Sequence, residues 1–129
     1  PHLKIGLEVM DAWGFTYKTV GFTWAKLQAS MAMVPCETPW SERSFFTGMG
    51  YWSRSNPEMC LLGTRGSPKR VNRDVPQLII APRREHSRKP DEAYDRMRRL
   101  VCGSAIELFA RTTRPGWDSW GDDVERFAA

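Results

Sequence analysis

Cysteine and histidine are scarce in this sequence: 129 residues hold three cysteines, Cys36, Cys60 and Cys102, and two histidines. No Cys-x-x-Cys pair occurs. The odd, widely spaced set supports neither a disulfide framework nor a zinc knuckle, so reduced thiols and no metal centre are expected. His86, in a basic stretch beside Ser87 and Arg88, has no second histidine nearby to form a dyad and reads as a surface residue. Gly-x-Ser-x-Gly, P-loop and His-Glu-x-x-His strings are also absent, which removes the readily named hydrolases, nucleoside triphosphatases and zinc proteases. No apolar run nears the roughly 18 residues of a membrane-spanning helix. The start at Pro1 carries no basic and apolar leader, so the expectation is a soluble, cytoplasmic chain that is a fragment or a processed product. Neither an internal repeat nor a low-complexity tract is visible.

What is present is an ordinary composition, 41% hydrophobic and 26% charged, which fits one globular domain over 1–129. The charge is uneven. Residues 65–99 carry 11 Lys/Arg against 5 Asp/Glu, a net +6, while the remainder is net −2, giving +4 overall. A localised basic segment suits an anionic partner such as nucleic acid, and a solvated, ion-paired face explains such a run equally well. Arg65, Lys69, Arg70, Arg83, Arg84 and Arg88 are the candidates for nucleic-acid contact. With no matching set of Asn or Gln, they point to phosphates rather than base edges.

Periodicity predicts an α/β order. Leu3, Leu7, Met10 and Trp13 define an amphipathic helix over 1–13, with Gly14 as its cap. Residues 15–24 alternate as a strand, whereas 27–43 mix Met, Pro, Ser and Glu without a stable period and read as a mobile loop. Two short apolar runs, 58–64 and 77–81, read as strands joined by a basic connection. Lys89-Pro90-Asp91-Glu92 is the clearest helix start, with proline at the first helical position and carboxylates facing the positive end of the dipole. Ala93, Met97, Leu100 and Val101 form its buried stripe; Arg96, Arg98 and Arg99 face solvent, and Gly103 ends it. A strand at 105–110 follows. A strand reached through a helix implies a parallel, right-handed crossover, with a site at the carboxyl ends of the strands, just after Phe109.

That site would combine Glu107 within the strand, Arg111 at its end and the polar turn Thr112-Thr113-Arg114-Pro115-Gly116. A carboxylate in a strand is costly unless paired, so Glu107 is either tied to a neighbouring arginine or to backbone amides, or part of a ligand site. Trp117 to Asp123 place aromatics beside carboxylates, a pattern that suits either core packing or a stacked nucleoside.

Residues 50–66 (GYWSRSNPEMCLLGTRG), then Ser87-Arg88-Lys89-Pro90-Asp91-Glu92, Glu107-Leu108-Phe109-Ala110-Arg111 and Pro115-Gly116-Trp117-Asp118-Ser119-Trp120-Gly121 resemble, in order, the DPPW-type adenine N6-methyltransferases. This group holds the eukaryotic messenger-RNA adenosine methyltransferase and its bacterial and phage relatives. The resemblance runs from about residue 15 to 123 and is weakest over 27–43. It implies a partial Rossmann-like fold, a mostly parallel sheet flanked by helices, that binds S-adenosyl-L-methionine for methyl transfer to N6 of adenine, in DNA rather than RNA. Carried over by residue, Lys89 would pair with the methionyl carboxylate, and Glu107, Phe109 and Arg111 would belong to the cofactor-binding strand. Arg111 and the turn through Thr113 would line the ribose, with Asp122 and Asp123 near the ribose or adenine. Relatives often carry His-Asn after the arginine and Asn-Gln or Asn-Glu after the late glycine, where this chain has Thr113-Arg114 and Asp122-Asp123.

The defining Asp-Pro-Pro-Trp motif, which holds the target amine, is missing from these residues. The nearest string, Cys36-Glu37-Thr38-Pro39-Trp40, lacks the aspartate and one proline. No catalytic residue is therefore assigned. The chain is expected to supply the cofactor-binding half and to be inactive alone, with the other half upstream or in a homo- or hetero-dimer partner. The alternative is a non-catalytic nucleic-acid-binding or scaffold subunit.

Overall fold

A computed structural model describes residues 2–33 and 39–127. Helix α1 (Leu3–Ala12) leads into the long strand β1 (Thr16–Leu27). Two short 3-10 turns at Ala29–Met33 and Glu42–Ser44 follow, within the stretch read from sequence as a mobile loop; residues 34–38 lie outside the described residues. Then come β2 (Glu58–Thr64), β3 (Leu78–Pro82), α2 (Asp91–Leu100), β4 (Ile106–Leu108) and β5 (Asp118–Trp120). No helix among these is long and apolar enough to cross a membrane.

Gly14 closes α1 as the pattern predicts. Its φ of +76° lets Phe15 N–H reach Met10 O at 2.9 Å and its own N–H reach Asp11 O, the paired bonds of a Schellman turn. The helix rests lightly on β2, and none of its residues is fully buried. Gly63 provides the contact: a Cβ there would lie 2.5 Å from Met10 Sδ.

The class is α/β, as expected, but the strands form two sheets. β1 is central in the first, antiparallel to β2 and parallel to β3; β4 and β5 make a separate parallel ladder. The strand reached through α2 therefore does not pair with β3, as the simple crossover would have it. Its partner is β5, three residues within the 117–123 stretch that the sequence leaves as core aromatics or a stacked-nucleoside site and does not read as a strand. Two register shifts in β1, at Tyr17/Thr19 and Val20/Phe22, bend it against β2.

Phe22, Trp24, Ile79 and Ala93 form the core, with Val75, Ala81, Tyr94, Met97 and Leu100 packed on it. Trp24 Nε1 donates to Ala81 O at 2.9 Å, so the indole is both buried and satisfied. The predicted stripe of α2 holds at Ala93, Met97 and Leu100. Val101 departs from it: extended at the helix end, it is exposed. Arg96 departs in the opposite sense. Instead of facing water, its guanidinium donates to Pro76 O (2.6 Å) and Leu78 O (2.7 Å), carbonyls at the start of β3, and pairs with Glu92.

Candidate functional site

The N-terminal approach to α2 and the end of β4 face each other across a cavity of about 350 Å³, within the range of small-molecule sites. It lies at the carboxyl end of β4, where an α/β sheet places ligands. Ser87, Arg88, Lys89 and Tyr94 form one wall; Glu107 to Phe109, Arg111, Thr112 and Arg114 form the other, and Phe127 closes an edge. Two strained residues shape it: Ser87 (φ +64°) and Phe109 (φ +59°), the latter a bulky side chain in a region that favours glycine.

Pro90 caps α2 rather than standing at its first helical position, so Lys89 lies one residue outside the helix. Its ammonium is paired with Glu58 at the start of β2, and Glu58 also takes Lys26 at 2.8 Å. Burial, and behind it the charges of Lys26 and Arg111, lower the Lys89 pKa below the usual lysine value. Arg111 Nη1 donates to His86 O at 3.2 Å, spanning the cavity mouth.

Beneath these cations is a network centred on Arg114. Its Nη1 donates to Asp91 Oδ1 at 2.7 Å, its guanidinium lies 3.7 Å from the Tyr94 ring centroid, and its Nε stands 3.8 Å from Glu107 Oε2. Tyr94 Oη donates to Glu107 Oε1 at 2.6 Å, and burial together with that bond pushes the phenol up to about 12. Asp91 also accepts from Arg84 at 2.8 Å. That bond, helped by Arg114 and opposed by partial burial, holds the Asp91 carboxyl at about 2. Glu107 is thus tied to its neighbours Tyr94 and Arg114, one of the two alternatives its sequence position leaves open. Its Oε2, however, is buried and accepts no hydrogen bond. The cavity therefore offers cations for an anionic group, a carboxylate in Glu107 whose Oε2, beside Arg114, accepts no hydrogen bond, and aromatic faces at Phe109 and Phe127.

Of the residues singled out in the sequence, the structure brings together Lys89, Glu107, Phe109 and Arg111. Thr113 is not in the cavity wall; the preceding Thr112 is. Asp122 and Asp123 line a separate depression with Glu125 and Arg126, and Asp123 pairs with Arg126 at 3.1 Å. The turn after β5 carries its own i,i+3 pair, and Phe127 N–H donates to Arg111 O at 3.0 Å beyond it. Tyr94 and Phe127 were missed, and Arg114, read only as part of the polar turn, is the centre of the network. Tyr94 carried a readable signal, four residues after Pro90 on the face of α2 that holds Ala93 and Met97; Phe127 carried none.

The basic candidates do not form one patch. Arg70 borders an apolar groove with Val75, Met97 and Leu100, and Arg65 lies 5.8 Å from the Phe15 ring centroid. Arg83 covers Phe46 at 4.1 Å, Arg84 is bound to Asp91, and Arg88 makes two bonds to Glu85. Lys69 is in no ion pair among the described residues.

Comparison with known proteins bears on this arrangement. The family described as MT-A70 matches residues 2–123. A protein of Medicago truncatula named putative N(6)-adenosine-methyltransferase MT-A70-like is 38% identical over 128 residues, covering 95% of this chain and 19% of its own length. The Homo sapiens N(6)-adenosine-methyltransferase catalytic subunit METTL3 is 30% identical over 128 residues, 95% of this chain and 20% of that protein. The Type II methyltransferase M.MunI of Mycoplasma sp is 31% identical over 127 residues, 96% of this chain and 47% of that protein. The chain thus spans about a fifth of the plant and animal relatives and about half of the bacterial one.

Proposed function

The chain belongs to the MT-A70 family, and from that premise we propose that it is the cofactor-binding part of an S-adenosylmethionine-dependent methyltransferase acting on N6 of adenine in nucleic acid. One juxtaposition supports this reading: Lys89, Arg111 and Glu107, whose Oε2 accepts no hydrogen bond, wall a single cavity at the carboxyl end of β4. Those groups fit the cofactor's chemistry. Lys89 would meet the methionyl carboxylate, Glu107 Oε2 would accept from a ribose hydroxyl, and Phe109 or Phe127 would offer a face to the adenine. When bound, the cofactor supplies an electrophilic methyl group.

In this reading the described residues hold and orient, and none among them is assigned to grip the exocyclic amine. That amine is a weak nucleophile because its lone pair is delocalised into the ring, so assistance comes from acceptors that fix its hydrogens and from alignment. In our reading those acceptors come from further chain in the longer protein or from a partner subunit. The two-stranded β4–β5 ladder supports this, since such a ladder is marginal alone and Ile106, Leu108, Phe109 and Trp120 are exposed along it. Our reading favours DNA as the substrate, on the resemblance of residues 115–121 to prokaryotic members of the family.

The test is calorimetric titration of the chain with S-adenosylhomocysteine, beside transfer of labelled methyl groups to adenine-containing oligonucleotides. Binding without transfer is the expected result. Absence of binding both here and in a version extended upstream, or transfer by this chain at the rate of a longer relative, would overturn it.

A further inference from the structure

Resting on the nucleic-acid reading above, we propose that the loop of residues 46–57 is a stacking platform for unpaired bases flanking the target adenine, with Tyr51 and Trp52 as its two faces. Trp52 is fully exposed at 102%, and Tyr51 reaches 87%. Aromatic side chains are ordinarily the groups that gain most from burial, and here two successive ones are held in water.

The loop that carries them is fastened, not slack. Gly48 N–H donates to Ser55 O at 2.7 Å and Arg54 Nε to Gly48 O at 2.9 Å, which closes the neck. Asn56 Nδ2 bonds both Lys26 O and Phe46 O, anchoring the stem on β1. At the tip, a Cβ on Gly50 would collide with Ser53 O, so the turn that projects the rings needs glycine. Two residues beyond the stem, Glu58 grips Lys89 in the cavity wall. Platform and cavity are therefore joined by one short, bonded connection.

Charge selects the partner. Arg54 is the only charged residue in 46–57, and it pairs with no carboxylate among the described residues. Arg83 adds a second cation over Phe46 at the stem. Exposed aromatics interleaved with unpaired arginine are the elements of single-strand recognition, in which every base offers a face and the backbone needs cations. An amine on the edge of adenine is reached only when the base has left its duplex or is presented single-stranded. Its neighbours then lose stacking partners, which the tip replaces.

The test uses fluorescence anisotropy with adenine-containing single-stranded oligonucleotides, and the matching duplex, at several salt concentrations. The wild type is compared with W52F and with Y51A/W52A. The double variant should bind single strands at least tenfold more weakly, about the worth of one stacked base, with an unchanged salt slope and little change on duplex; W52F should keep most of the affinity. Equal affinity of the double variant, a loss shared equally by duplex, a loss accompanied by a shallower salt slope, or no binding by the wild type overturns the proposal. So does a loss of self-association with oligonucleotide binding intact, which makes the tip a protein contact. Titration of the same proteins with S-adenosylhomocysteine keeps the readings apart: no heat from the wild type and from its upstream-extended version counts against the methyltransferase, while selective loss of single-strand binding in the variant upholds the platform.

Discussion

Lys89 and Glu58, thirty-one residues apart, form an ion pair that joins the approach to α2 to the first residue of β2. The cation assigned to the cofactor carboxylate thus already holds a carboxylate of the protein. Both side chains are partly exposed, so the pair itself contributes little stability, about 0–1 kcal/mol.

K89A is therefore expected to weaken S-adenosylhomocysteine binding by about 1.5–3 kcal/mol, the scale of a hydrogen bond to a charged group, with stability changed by less than about 1 kcal/mol. E58Q removes the competing charge and should tighten binding a few-fold. Calorimetry and thermal unfolding of both variants check this; tighter binding by K89A or weaker binding by E58Q would return Lys89 to a purely structural role.

Ligand affinity should also depend on alkaline pH. The carboxylate needs Lys89 protonated, and burial lowers the pKa of that ammonium below 10.5. Affinity is then retained at neutral pH and falls as pH rises through the lowered value, before an ordinary lysine would titrate. Titrations between pH 7 and 10 read this directly, and the pH dependence should be smaller in K89A, where only the ligand's own amine still titrates.

Asp91 is held at about 2 against an ordinary 3.8. Its folded-state pKa is depressed, so its contribution is present above about pH 4 and is lost as pH falls through about 2. D91N should lower the unfolding temperature at pH 6, and the gap from wild type should close on acidification into that window. A gap that stays constant down to pH 2 would mean that the bonds from Arg84 and Arg114 contribute nothing through charge.

Gly121 lets the end of β5 approach β4: an added Cβ would stand 2.7 Å from Ala110 O and 2.8 Å from Ala110 N. G121A should disturb the bond from Ala110 N–H to Trp120 O and cost about 1–3 kcal/mol, as overpacking does. Thermal unfolding measures it. G66A, at an open turn with φ +70°, carries only conformational strain and should cost less.

The basic residues should separate by their partners. K69A/R70A should lower the slope of binding against log salt by about two if both reach phosphates. R84A/R88A should lower it less, because Asp91 and Glu85 already occupy those guanidinium groups. Salt titrations with one oligonucleotide decide; equal effects would show that the ion pairs open on binding.

Much of this molecule was determined by local chemistry that a sequence displays. The strand at 58–64 matches its apolar run residue for residue, and Gly14 ends α1 because only a left-handed residue completes that turn. The cavity's place after Phe109, with Glu107 and Arg111, also follows from the order of helix and strand along the chain, whereas the company of Lys89 is what the family resemblance implies. Tertiary structure decided where each charge is spent. Arg96 turns from water to carbonyls at the start of β3, Lys89 finds Glu58, and Arg114 gathers Asp91, Tyr94 and Glu107. β5 took its strand pairing from β4, since three residues carry too little periodicity to announce themselves. Asp122 and Asp123 lie in a depression of their own, where Asp123 pairs with Arg126. The physical reason is common to all of these. Helix and strand patterns are written at spacings of two to four residues, whereas an ion pair joins whichever opposite charges the packing brings within reach, and separations such as the thirty-one residues between Glu58 and Lys89 leave no mark on the chain between them.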